Sequence, residues 1–178
     1  NGQSTQSIQL IDAKSENVID SVAIGKSFYG LQFSADEKYL FASGGHDNII
    51  IKYAIKDKHL FNTDTFKLGK PWPTAIGPSG IALDEKRNLL YVVTREDRQL
   101  YIFDLKTKQF VKKLSIDGEA YACIMNPNNN ELYVSCWGCD QVNTLDLTTL
   151  SWKPSIKVGD NPNEMLVTPD GKYLYVCN

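Results

Sequence analysis

What the chain has little of narrows its chemistry first. Among 178 residues there are two histidines, two methionines and four cysteines. His46 and His59 stand apart in sequence, which is thin support for haem ligation. The cysteines, at positions 123, 136, 139 and 177, make no disulfide framework at this length and leave the redox compartment open. Net charge is −2 and no Lys/Arg block is dense enough to follow a phosphate backbone, so no nucleic-acid partner is expected. No apolar run reaches the length of a membrane span. Phosphate loops and dinucleotide fingerprints are missing, and so is the G-x-S-x-G elbow of a serine hydrolase. No segment carries the 3.6-residue period of an amphipathic helix. The polar opening "NGQSTQS" does not read as a secretory leader; it fits a processed terminus, a loop or a cut.

What is present is repetition. Leu-aromatic anchors fall at positions 40, 90, 132 and 174, at intervals of 50, 42 and 42. A second series, Ile11-Asp12, Tyr53-Ala54, Phe103-Asp104 and Leu145-Asp146, is spaced by 42, 50 and 42. The shared 50-residue interval places an insertion of about eight residues between Ile55 and Gly80, a stretch rich in Pro, Gly and aromatics. Within each repeat the apolar period is two, with turn chemistry between short runs of Val, Ile, Leu, Tyr and Phe. Four short antiparallel strands per forty-odd residues predict an all-β fold, a β-propeller of four-stranded blades. The spacing predicts strands at 79–84, 88–94, 98–104 and 109–116, then at 120–125, 131–136, 141–146 and 152–158. The blades then run 27–69, 77–118 and 119–159, flanked by outer strands in 7–25 and inner strands in 162–178. Two arrangements fit: a segment of a larger ring, or a four-bladed ring closed by pairing 7–24 with 162–178.

Tyr91-Val92-Val93-Thr94, Tyr133-Val134-Ser135-Cys136 and Tyr175-Val176-Cys177-Asn178, with "TPDGKYLYV" and "VGDNPNEMLV", resemble the YVTN-repeat (YncE-like) β-propeller family. A narrower likeness, in "SFYGLQFSADEKYLFASGGHDN", "LGKPWP" and "GEAYACIMNPNNNELYVSCWG", is to the propeller of two-domain bacterial proteins with an alkaline-phosphatase-like phosphoesterase domain. The resemblance implies a seven-bladed ring with about three blades outside this chain. It also implies a phosphoesterase domain outside it, and export to the periplasm or the cell exterior.

The meander puts the starts of the first strands, the loops between second and third strands, and the insertion at one end of the ring. Seven candidate binding residues gather there: Tyr29, His46, Trp72, Arg95, Tyr121, Trp137 and Asn163. Aromatics at a concave mouth offer large contact area at low entropy cost. Tyr29 and Tyr121 fit packing between blades equally well, and Arg95 also fits a solvated loop charge. Cys136 and Cys139 read foremost as small strand residues, with a local disulfide or metal site as alternatives. Asp12, Asp104 and Asp146 recur at one blade position and are expected to cap turns rather than act as an acid/base pair. No cofactor, metal or catalytic residue is expected. The expected role is a binding or scaffold module for a small ligand or a protein domain. The alternative is a lactonase-like hydrolase using His46, Arg95 and an acid such as Glu119.

Overall fold

Among the described residues, all strands but β15 pair with a sequence neighbour, in sheets that follow one another along the chain. The computed structural model describes residues 6–25, 30–128 and 130–178. Among them are seventeen strands, one 3-10 turn at Gly45–Asp47 and no α-helix. β1 (Ser7–Asp12) pairs with β2 (Asn17–Ala23). β3 (Leu31–Phe33), β4 (Tyr39–Ser43), β5 (Ile49–Lys56) and β6 (His59–Lys67) form the first four-stranded meander. β7 (Pro78–Asp84), β8 (Leu89–Thr94), β9 (Gln99–Asp104) and β10 (Phe110–Ser115) form the second. The third has β11 (Glu119–Met125), β12 (Glu131–Trp137), β13 (Gln141–Asp146) and β14 (Ser151–Trp152), with β15 (Ile156–Lys157) also on β13. β16 (Met165–Val167) pairs with β17 (Leu174–Val176). This is the antiparallel, sequential sheet order of a β-propeller.

Two expectations are corrected. β1–β2 and β16–β17 are separate two-stranded sheets, so the four-bladed closure is not formed. The strand expected at 152–158 is split into β14 and β15, because Pro154 has no N–H to give to the ladder.

Successive sheets pack face to face. Phe41, Ile50 and Phe66 of the first sheet meet Ile81, Leu90, Val92 and Phe103 of the second. From its other face, Tyr91, Val93, Leu100 and Ile102 meet Leu132, Val134 and Leu145 of the third. Burial on both faces explains the unbroken apolar run Leu89 to Val93, where a half-exposed strand would alternate. Each such buried side chain contributes about 1.5–3 kcal/mol.

Near the axis the inner strands touch through glycine and serine. A Cβ on Gly80 would sit 2.8 Å from both Ala122 Cα and Cys123 N. At Gly30, whose φ is +126°, a Cβ would sit 2.1 Å from the Ser79 carbonyl oxygen. Two hydroxyls bridge the sheets: Ser43 donates to Pro78 O at 2.6 Å and Ser79 to Ala120 O at 3.1 Å.

One turn occurs three times at the opposite end. Asp12 Oδ1 accepts from the N–H groups of Lys14 and Ser15, Asp104 from Lys106 and Thr107, and Asp146 from Thr148 and Thr149. Each turn ends on a residue with positive φ, Glu16, Lys108 or Leu150. The repeated aspartates therefore cap turns. Backbone hydrogen bonds hold all three carboxyls below their ordinary pKa. A folded-state pKa below the unfolded one gives stability that is complete above the unfolded value, about 3.9. It is lost as pH falls through the folded value. Urea midpoints should therefore drop as pH is lowered below about 4, and the Asp104→Asn/Asp146→Asn variant should show a shallower drop.

Candidate binding rim

Asn48 organises the end where the loops gather. It follows the 3-10 turn in the left-handed region at φ 55°, a conformation that asparagine tolerates. Its fully buried side chain donates to Lys70 O and Thr74 O, both at 2.7 Å, and accepts from Gly77 N at 3.1 Å. One amide thus closes the insertion onto the first sheet. The N–H of Trp72 adds a 2.9 Å bond to His46 O. Arg98 and Asp140 hold the matching left-handed positions in the next two sheets.

The rim is a continuous chain of contacts across three sheets. The His46 ring lies 5.2 Å from the Trp72 ring, centroid to centroid, and its Nε2 is 3.6 Å from Glu96 Oε1. The Arg95 and Glu96 N–H groups donate to Gly77 O and Ile76 O, which seats this loop against the end of the insertion. Arg95 Nη2 is 3.7 Å from Glu119 Oε2, and its guanidinium carbon is 5.8 Å from the centre of the Trp137 ring. Gly138 N then donates to Asn161 Oδ1, and Asn161 N to Asp140 Oδ1, each at 3.1 Å. Gly77, Arg95, Glu96, Arg98 and Glu119 line a cleft of about 330 Å³. Trp72 and Trp137 flank it, 57% and 40% exposed. Ion pairs this exposed add only about 0–1 kcal/mol each, so they orient the rim more than they stabilise it.

His46, Trp72, Arg95 and Trp137 thus stand in one neighbourhood. Tyr121, on β11, packs on the cluster of Ala122, Tyr133, Val142 and Met165 between the third sheet and β16–β17. Asn163 gives its N–H to Cys177 O at the start of β16–β17, and its neighbour Asn161 is the residue that reaches the rim. Tyr29 lies outside the described residues. Glu96 and Asn48 are among the rim residues that the expected binding set omits, with Arg98, Glu119 and Asn161. The Gly44-Gly45 pair and an asparagine directly ahead of an apolar strand are the sequence signals for Asn48. Asp97, also in this loop, accepts from the Thr94 and Tyr101 hydroxyls, so it serves the turn. Burial first, then Asp97, pushes the Tyr101 hydroxyl up. A second, axial cleft of about 770 Å³ runs along the inner strands and includes Gly30, Gly80, Cys123 and Met165. No group of three or more His, Cys, Asp or Glu side chains that could hold a metal occurs among the described residues. Nor is any helix there long and apolar enough to cross a membrane.

Similar proteins agree with this architecture. No known family profile matches the chain. Antigen Lp49 of Leptospira interrogans is 28% identical over 106 residues, 56% of this chain and 23% of that protein. YncE of Salmonella typhimurium, itself uncharacterized, is 24% identical over 96 residues, 54% of this chain and 27% of that one. The matches span about a quarter of each curated relative. A candidate 6-phosphogluconolactonase from Bacteroides uniformis superposes with a TM-score of 0.77 at 14% identity, over 97% of this chain and 57% of that one. A chain in the crystal structure of a mitotic checkpoint complex gives 0.79 at 18% identity, over 96% and 52%. This chain has the β-propeller fold and is similar in sequence to YncE.

In this propeller the rim hangs on Asn48. Asn48→Ala removes three buried hydrogen bonds and strands three backbone groups of the insertion. It should cost about 2–4 kcal/mol in urea unfolding and shift Trp72 emission toward that of a mobile indole.

Proposed function

We propose that this propeller is a non-catalytic binding or scaffold module, capturing a ligand or a partner domain at the rim. One observation carries the reading. Two indoles, one on the insertion and one at the end of β12, stand exposed beside a charged cleft lined by the β8–β9 loop, Gly77 and Glu119. Exposed tryptophans beside an arginine have the composition of interface hot spots. The likeness to a chain of a multiprotein complex favours a protein partner. A phosphoesterase domain is the partner class that the narrower sequence likeness implies. Placement in an exported bacterial protein belongs to the same proposal.

The hydrolase reading has one observation in its favour: an imidazole, a guanidinium and two carboxylates converge at this cleft. In it Arg95 meets Glu119 as expected, but His46 meets Glu96. Sugar-lactone hydrolysis above the buffer rate, with or without a divalent metal, and lost in His46→Ala, would favour that reading over binding.

The binding role is tested by Trp72→Ala/Trp137→Ala. Partner capture from extracts of the native host, quantified by mass spectrometry, should fall by about tenfold or more. Unfolding free energy should stay within about 1 kcal/mol of the parent. Unchanged capture by a folded double variant removes the rim from the account.

A further inference from the structure

The turn that displays Trp137 is bounded by two thiols. Cys136 is fully buried at the end of β12 and Cys139 is half-buried, with Trp137 and Gly138 between them. The Cys139 N–H donates to Cys136 O at 3.3 Å, closing a four-residue turn. A turn of this kind holds its end Cα atoms within about 7 Å. A disulfide needs about 4.4–6.8 Å. Both side chains face Gly118, whose φ is +110°. A Cβ placed there would lie 2.3 Å from Cys139 Sγ, 3.1 Å from Cys139 Cβ and 3.4 Å from Cys136 Cβ. The missing side chain of Gly118 thus leaves the space that the Cys139 thiol occupies, beside Cys136 Cβ. Asn143 Nδ2 donates to Cys136 Sγ at 2.8 Å and fixes that sulfur. Burial, with Cys139 as the next cause, pushes the Cys136 thiol up to about 12, so the more exposed Cys139 is where an oxidant enters.

We infer that Cys136 and Cys139 form a reversible internal disulfide that locks the turn carrying Trp137. The co-reactant is a small disulfide such as glutathione disulfide. The Cys139 sulfur attacks one sulfur of the oxidant and expels a thiolate. Cys136 then loses its proton and attacks the Cys139 sulfur of the mixed disulfide, expelling the second thiolate. Two protein thiols are oxidised, one small disulfide is reduced, and the two protons leave to the expelled thiolates or to solvent. The bond would stiffen a turn already tied to Asn161 through Gly138 N and to Arg95 through the indole. Presentation of Trp137 would then follow the redox poise of the surroundings.

The test uses the whole chain equilibrated in glutathione/glutathione-disulfide mixtures, then alkylated and digested without reductant. The peptide holding Cys136 and Cys139 should appear lighter by about 2 Da than its reduced, unalkylated mass and revert with reductant. Cys139→Ser should abolish that species. Trp137 emission should change on oxidation in the Trp72→Phe background and not in Trp72→Phe/Trp137→Phe. A lasting glutathione adduct on Cys139 with Cys136 still reduced would overturn the inference. So would pairing of Cys136 with Cys123 or Cys177. An internal bond that leaves Trp137 emission unchanged would overturn its coupling to the rim. The mass readout does not involve partner binding, so its failure is distinct from failure of the binding role.

Discussion

The close approach of neighbouring inner strands is the constraint from which the rest follows. Where β7 meets β11, Gly80 lets one backbone come within reach of the next, and no side chain fits between them. Ser79 adds a hydroxyl-to-carbonyl bond at that seam, and Ser43 makes the equivalent bond between the first and second sheets. Tight contact at the axis and bulky packing further out, from Phe41, Phe66 and Phe103, make each sheet a wedge. Wedges stacked in chain order turn about an axis and bring equivalent loops to one end. The rim follows from this packing.

The repeats divide their work by position. Loops at one end carry aspartates that tie down their own turns and leave nothing over for chemistry. Loops at the other end carry the departures from the repeat: a histidine, two arginines, two tryptophans and a proline-rich insertion. The insertion would be a loose arm without Asn48. With it, Trp72 is held where His46 and Glu96 can meet it. A protein built this way holds an exposed aromatic surface in place. Under the proposed binding role, that lowers the ordering cost of capturing a partner.

Much of this is legible in the sequence. The 42-residue spacing, the turn residues and the doubly buried run Leu89 to Val93 are direct consequences of the sheet packing. The meander alone brings His46, Trp72, Arg95 and Trp137 to one end. What it does not give is side-chain partnership. Glu96 reads like any charged loop residue until Ile76 and Gly77 seat its backbone. Asn48 reads as a turn residue until the insertion folds back over it. Tyr121 differs from a rim aromatic only in which face of β11 it occupies and what packs there. Pro154 splits an outer strand because the third sheet would need an N–H where proline has none.

The seam between inner strands is best probed at Gly80, where local preference and packing disagree. Strand propensity alone favours Val over Gly at such a position. Packing forbids it, because the added carbon meets the backbone of Ala122 and Cys123. The unfolding free energy of Gly80→Val, measured in urea, should fall by about 1–3 kcal/mol or more, with loss of the near-ultraviolet signal of the packed aromatics. A Gly80→Val protein as stable as the parent, or more stable, would contradict the account of how these sheets meet.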